Sequence, residues 1–142
     1  MKVLVIEDSR LLRLAIGRML VKAGYDVTTV GDGQRGLVLA REVRPDAVLL
    51  DMMLPVLEGT AVLEGLKRDP RTRTIPVIVL SGLSQKNERK LRTAGASAYI
   101  EKSSLDLEDE SGELVSIVRQ VLSETEIEAS PSRVSDVAEL GV

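Results

Sequence analysis

The sequence predicts an α/β fold: a doubly wound parallel sheet of five strands with helices on both faces. Two observations carry this. Short apolar runs at residues 3–6, 27–30, 47–50, 77–80 and 98–100 are aliphatic or β-branched and bounded by charged or turn residues, as strands buried on both faces are. The longer stretches between them repeat apolar residues at helical spacing. Strand-then-helix five times over argues for a parallel sheet, and right-handed crossovers leave few topologies. The flavodoxin-like (βα)5 order 2-1-3-4-5 is the common one at this size; it is taken from that class of folds, since the pattern itself does not select it.

The elements follow in order. Ser9 can cap a first helix with apolar positions Leu11, Leu12, Ala15, Ile16, Met19 and Leu20, and Gly24 can end it. Leu37, Leu39, Ala40 and Val43 mark a second helix, stopped before Pro45. Leu57, Ala61, Val62 and Leu66 mark a third, ending before Pro70, and a fourth is expected near residues 86–94, closed by Gly95. Leu114, Ile117, Val118, Val121 and Leu122 give a last helix at i, i+3, i+4, i+7 spacing. One domain is therefore expected over residues 1–122. Residues 123–142 are acidic, contain Ser-Pro-Ser and read as a mobile tail. A short docking helix at 132–140, built on Val134, Val137 and Leu140, is the alternative.

Composition removes whole classes of chemistry. With 142 residues, 44% of them hydrophobic, the chain can bury a core unaided. There is no cysteine, hence no disulfide or zinc-thiolate site, which suits a reducing cytosol. The N-terminal apolar run meets Glu7 too early for a secretory signal, and no apolar run approaches the roughly 20 residues of a membrane span; a cytoplasmic protein is expected. There is no histidine, so no histidine base, metal ligand or phosphohistidine of its own. Net charge is -3; residues 123–142 hold five acids and one base, leaving the rest at +1. That near-neutral body, with only two tyrosines and no other aromatic residue, predicts no direct nucleic-acid binding.

Ligands of open parallel sheets sit beyond the carboxyl ends of the strands. There the sequence places Glu7 and Asp8 after strand one, Asp51 after strand three, Ser81 after strand four and Lys102 after strand five. Taken singly, each has an ordinary explanation: Asp8 a helix start, Glu7 and Lys102 solvated side chains, Ser81 a turn. Together they are three carboxylates, a hydroxyl and an ammonium on adjacent strand ends. Three negatives, one lysine and one divalent cation sum to zero, and hard oxygen donors alone favour Mg²⁺. A carboxylate beside such a cation can attack phosphorus, with Lys102 and Ser81 meeting the transferred oxygens.

These residues, with Met52-Met53-Leu54-Pro55 and Gly59, resemble the receiver domain of two-component response regulators over about residues 2–122. The resemblance implies that Asp51 is the phosphoacceptor. It implies Mg²⁺ held by Glu7, Asp8, Asp51 and the backbone carbonyl of Met53, with Ser81 the switch hydroxyl and Tyr99 the switch aromatic. It implies a phosphodonor, either a sensor histidine kinase or a histidine phosphotransfer protein. It also implies a downstream protein target at the face of helix four, strand five and helix five, where Lys86, Arg89, Lys90 and Arg92 cluster, and it leaves a homodimer open. Two departures stand out: Ser103 follows Lys102 where proline is usual, and residues 104–110 look longer and more acidic than typical.

Two other readings fit less of the chain. Gly31-Asp32-Gly33-Gln34-Arg35-Gly36 fits G-x-G-x-x-G, with Asp51 20 residues beyond the first glycine. Asp32, however, would put negative charge where a pyrophosphate must approach, and Glu7, Asp8, Ser81 and Lys102 go unexplained. A turnover phosphatase of the haloacid dehalogenase type needs a second acid two residues after its nucleophile, and Met53 cannot transfer a proton. No turnover of external substrates is expected, only self-catalysed gain and loss of phosphate. A receiver-like module that only binds would show no phosphate gain at all.

Overall fold

The computed structural model describes residues 1–54, 57–82, 88–105 and 112–125. Strands β1 (Lys2–Ile6), β2 (Asp26–Val30), β3 (Ala47–Asp51), β4 (Val77–Ser81) and β5 (Ala98–Glu101) alternate with α1 (Arg10–Lys22), α2 (Gly33–Val43), α3 (Gly59–Arg68), α4 (Glu88–Thr93) and α5 (113–125). All strand pairs are parallel, in the order β2-β1-β3-β4-β5. This is the doubly wound, flavodoxin-like architecture.

The period of two along each strand divides the core into two layers. Val3 and Val5, Ala47 and Leu49, Ile78 and Leu80 point to one face, where α1 and α5 close over them with Ile16, Leu20, Leu114 and Val118. Leu4 and Ile6, Val48 and Leu50, Val77 and Val79 point to the other, covered by Ala40, Val62, Leu63, Leu66 and Leu91 of α2, α3 and α4. Strands β3 and β4 are buried along their whole length. The two tyrosines divide the same way: Tyr25 packs against the α1/α5 layer and Tyr99 against the α2–α4 layer.

Local chemistry sets the ends. The Ser9 hydroxyl accepts from the Leu12 N–H at 3.3 Å and starts α1. Gly24, at φ 98°, supplies the left-handed residue just beyond its end. Helix α2 begins at Gly33, earlier than its apolar residues suggest, because the Asp32 carboxylate accepts from the Arg35 N–H at 2.8 Å. The glycines of the G-x-G-x-x-G stretch serve packing here. A Cβ on Gly36 would strike the Ile6 side chain, and one on Gly33 would meet the Leu57 carbonyl. That accounts for the motif without a dinucleotide.

Several boundaries differ from the sequence pattern. Asp51 and Ser81 are the last residues of their strands rather than the first of the following loops, because the ladder continues through Asp51↔Leu80 and Ser81↔Glu101. Leu57 lies just before α3, while Leu63 is fully buried within it. Helix α4 is shorter than expected, at Glu88–Thr93, with Gly95 at φ 114° just beyond it. Helix α5 runs to residue 125, three residues past the anticipated edge, and Val121 and Leu122 on its inner side are buried. Pro55, Leu83, Lys86, most of the acidic 104–110 stretch and residues 126–142 lie outside the described residues. Among the described residues no helix is long and apolar enough to cross a membrane.

Gly59 opens α3 against the end of β3. A Cβ there would lie 2.5 Å from Met52 Cα and 2.6 Å from the Asp51 carbonyl oxygen, both backbone atoms that cannot step aside. Gly59→Ala is expected to lower stability in urea unfolding by on the order of 2 kcal/mol, whereas Gly82→Ala, with open space around the new methyl, changes it little. Equal unfolding midpoints for the two variants would contradict this packing.

Candidate functional site

Two adjacent strands end in buried acids. Glu7 follows β1 and is fully buried, its backbone N–H donating to the Val30 carbonyl at 3.0 Å and so continuing the ladder. Asp51 closes β3 and is 1% exposed. Lys102, immediately after β5, reaches back across the sheet end. Its ammonium lies 3.0 Å from Glu7 Oε1, 3.3 Å from Oε2 and 2.9 Å from Asp51 Oδ1. The Met53 N–H donates to the same Asp51 Oδ1 at 3.0 Å. One carboxylate oxygen of Asp51 is thus pinned by two donors.

The charge does not balance. Burial, above all, pushes the Glu7 carboxyl up to about 8, the nearby Asp51 carboxylate adds to that, and Lys102 pulls back only in part. Burial works against the Lys102 ammonium, but its hydrogen bonds to Asp51 and Glu7 and their charges outweigh it and raise its pKa. The cluster therefore holds one more carboxyl group than its single ammonium can neutralise, and Glu7 keeps a proton near neutral pH.

Asp8 is placed differently from the other two acids. Its side chain is exposed, and among the described residues no three acids gather closely enough to hold a metal ion between them. The expectation that Glu7, Asp8 and Asp51 converge is corrected on this point: Glu7 and Asp51 meet through Lys102, and Asp8 stands outside. Consecutive residues of an extended segment turn to opposite sides, so with Glu7 facing inward Asp8 faces water, and like charge opposes a third carboxylate closing in. The donor chemistry still fits a hard cation. Three carboxylates lie at one end of the sheet, all donors are oxygen, and the buried pair is one positive charge short.

The remaining candidates are spread around this cluster. Ser81 is fully buried at the end of β4, next to β3. Tyr99 is half-buried in β5, in register with Val79. Met53 is 63% exposed beside Asp51. Arg89, Lys90 and Arg92 lie on the exposed side of α4. Sequence reasoning missed Arg13. Its Nη1 donates to the Glu7 carbonyl at 2.9 Å and to the Asp8 carbonyl at 3.3 Å. The available signal was Gly31, where a Cβ would sit 2.8 Å from that nitrogen. Arg13 fixes the backbone that carries both acids, tying α1 to the end of β1.

Known proteins share this arrangement. Residues 3–127 match the family model described as "Response regulator receiver domain". The chain is 33% identical over 141 residues, 99% of its length, to the DNA-binding dual master transcriptional regulator RpaA of a Synechocystis species, and it spans 56% of that regulator. It is 39% identical over 102 residues to the polar-differentiation response regulator DivK of Brucella anthropi, covering 70% of this chain and 82% of DivK. Among solved structures, a Francisella response regulator receiver domain superposes with TM-score 0.77 at 29% identity, covering 87% of this chain and 98% of that one. The chemotaxis response regulator CheY4 of Vibrio cholerae does so with TM-score 0.76 at 26% identity, covering 84% and 97%. Phosphate acceptance is the general role of this family, and its members generally bind Mg²⁺ at the acidic pocket. By its sequence match, its strand order and its structural neighbours, the chain belongs to the receiver domains of two-component response regulators.

Proposed function

We propose that Asp51 is the phosphoacceptor of this receiver domain and that residues 1–125 form the complete switching unit. The observation that carries this is the pinning of Asp51 Oδ1 by Lys102 and Met53. It fixes the carboxylate's orientation and leaves Oδ2 as the oxygen that attacks phosphorus. The donor is a phosphohistidine of a sensor kinase or a histidine phosphotransfer protein, since this chain has no histidine. The new bond is Oδ2–P. The bond that breaks is the donor's P–N bond, whose electron pair returns to the imidazole.

Glu7, Asp8, Asp51 and the Met53 carbonyl are the oxygens that would hold Mg²⁺. Bound there, the cation supplies the positive charge that the buried acids lack and shields the phosphoryl oxygens from them. The chain's own residues do the rest. Lys102 sits where it can leave Glu7 and follow charge onto the transferred group. Ser81, buried one strand away, is the hydroxyl that meets a phosphoryl oxygen, and Tyr99 follows it inward. The change then reaches α4, β5 and α5, where a protein partner docks. Like other receiver domains, the chain is a signalling module, and its gain and loss of phosphate are self-catalysed. A cytoplasmic setting accords with its lack of cysteine.

Incubation with acetyl phosphate and Mg²⁺, read by intact mass, should add one phosphate to the parent chain and none to Asp51→Asn. A chelator of divalent cations should abolish the gain. Phosphate on the Asn variant would refute the assignment of Asp51.

Lys102→Ala should still accept phosphate but lose the difference in partner binding between the two states. Urea unfolding of that variant should also show a loss on the order of 3 kcal/mol, because truncating Lys102 leaves two buried acids facing each other. Adding Glu7→Gln should restore part of that loss. Exposed Met53 stands beside Asp51 and hinders an approaching water, so Met53→Asn is expected to shorten the half-life of the phosphorylated chain. An unchanged half-life would remove Met53 from this role.

A further inference from the structure

Helix α1 carries an apolar stripe on its outer side. Leu11, Leu14, Arg18 and Val21 recur at spacings that place them on one face, and Leu11, Leu14 and Val21 are 75%, 48% and 59% exposed. Beside the stripe lies a groove of about 730 Å³ between the helix and the edge strand, lined by Leu14, Gly17, Arg18, Val21, Val27 and Thr29. The same helix holds Arg10, Arg13, Arg18 and Lys22 and no acid. An exposed surface that is both apolar and cationic calls for a segment that is apolar and anionic.

Residues 126–142 have that composition. Glu126, Glu128, Asp136 and Glu139 face a single base, Arg133. Val134, Val137 and Leu140 are spaced to share one face of a helical turn, with Asp136 and Glu139 between them. The segment also starts in the right place. Helix α5, which ends at residue 125, shares its layer with α1: Val121 and Leu122 belong to the same buried cluster as Met19 and Leu20. Helices α1 and α5 each return antiparallel to the strands, so both end at the same edge of the sheet. The eight residues 126–133 reach up to roughly 26 Å when extended, and α1 is about 20 Å long. Val134 can therefore be delivered anywhere along the stripe.

We propose that residues 126–142 fold back and cover the exposed stripe of α1, with Val134, Val137 and Leu140 on Leu14 and Val21 and the acids beside Arg10 and Arg18. The cover is a removable cap on the helix that starts next to Glu7 and Asp8. It competes with any partner that uses this face. The proposal does not depend on the phosphoryl chemistry assigned to Asp51.

The absence of cysteine makes the test clean. A nitroxide is attached to the full chain through Ser135→Cys, and amide signals are recorded at low and high salt. Loss of intensity over residues 11–21 and 27–29 at low salt, weakening as salt screens the charges, is the expected result. Arg18→Glu, and separately Leu14→Glu, should each restore those signals. Intensity loss centred on α4, or confined to residues next to the label, overturns the proposal. So does loss that appears on an isotope-labelled chain without nitroxide mixed with a spin-labelled one, because the occupant is then a second copy.

Discussion

A single ammonium group shared between two buried carboxyl groups organises this molecule's working end. Glu7, Asp51 and Lys102 come from three strands of one parallel sheet, and their side chains would repel or stay hydrated anywhere else. Parallel topology is what permits the meeting, since every strand delivers its last residue to the same edge. Because the acids are buried, their charge is expensive, and Glu7 relieves it by holding a proton. The pocket thus stands ready for added positive charge before any ligand arrives. Arg13 serves the same end from the side, bonding backbone carbonyls so that β1 presents both of its acids in fixed positions.

The backbone around this cluster is held as tightly as the charges. Gly59 lets the start of α3 lie against the Asp51–Met52 peptide, and Gly36 lets α2 lie against Ile6. Two helices on one face are therefore in direct contact with strands that carry the acids. On the opposite face, α1 is fastened through Arg13. A displacement at the end of β3 cannot be absorbed by a slack connection there; it must move a helix or be resisted by one.

Much of the fold was legible in the sequence, and the reason is the period of the apolar residues. Runs such as residues 47–50 and 77–80 leave no solvent-facing position, which only a strand covered on both sides requires. The acids and Lys102 stood out because each lies where a strand run stops. What was not legible involves geometry between residues far apart. Nothing local distinguishes Asp8 from Glu7, yet one is exposed and the other buried, because neighbouring residues of an extended chain face opposite ways. Arg13 looks like any helix arginine until Gly31 leaves room for it. Helix α2 began early because Asp32 caps it, a contribution hidden by the weak helix propensity of Gly33 and Gly36. The end of α5 was placed short because Ser123, Glu124 and Thr125 add a polar turn to a helix recognised by its apolar positions.

The placement of the two tyrosines has an optical consequence. In a chain without tryptophan, near-ultraviolet absorbance and intrinsic fluorescence come from Tyr25 and Tyr99 alone. One phenol lies in each layer of the sandwich, so the protein carries one native chromophore per face. Tyr25→Phe silences the α1/α5 side and leaves Tyr99 as a label-free reporter of the side where α4 lies. A spectral change then names the face on which it arose.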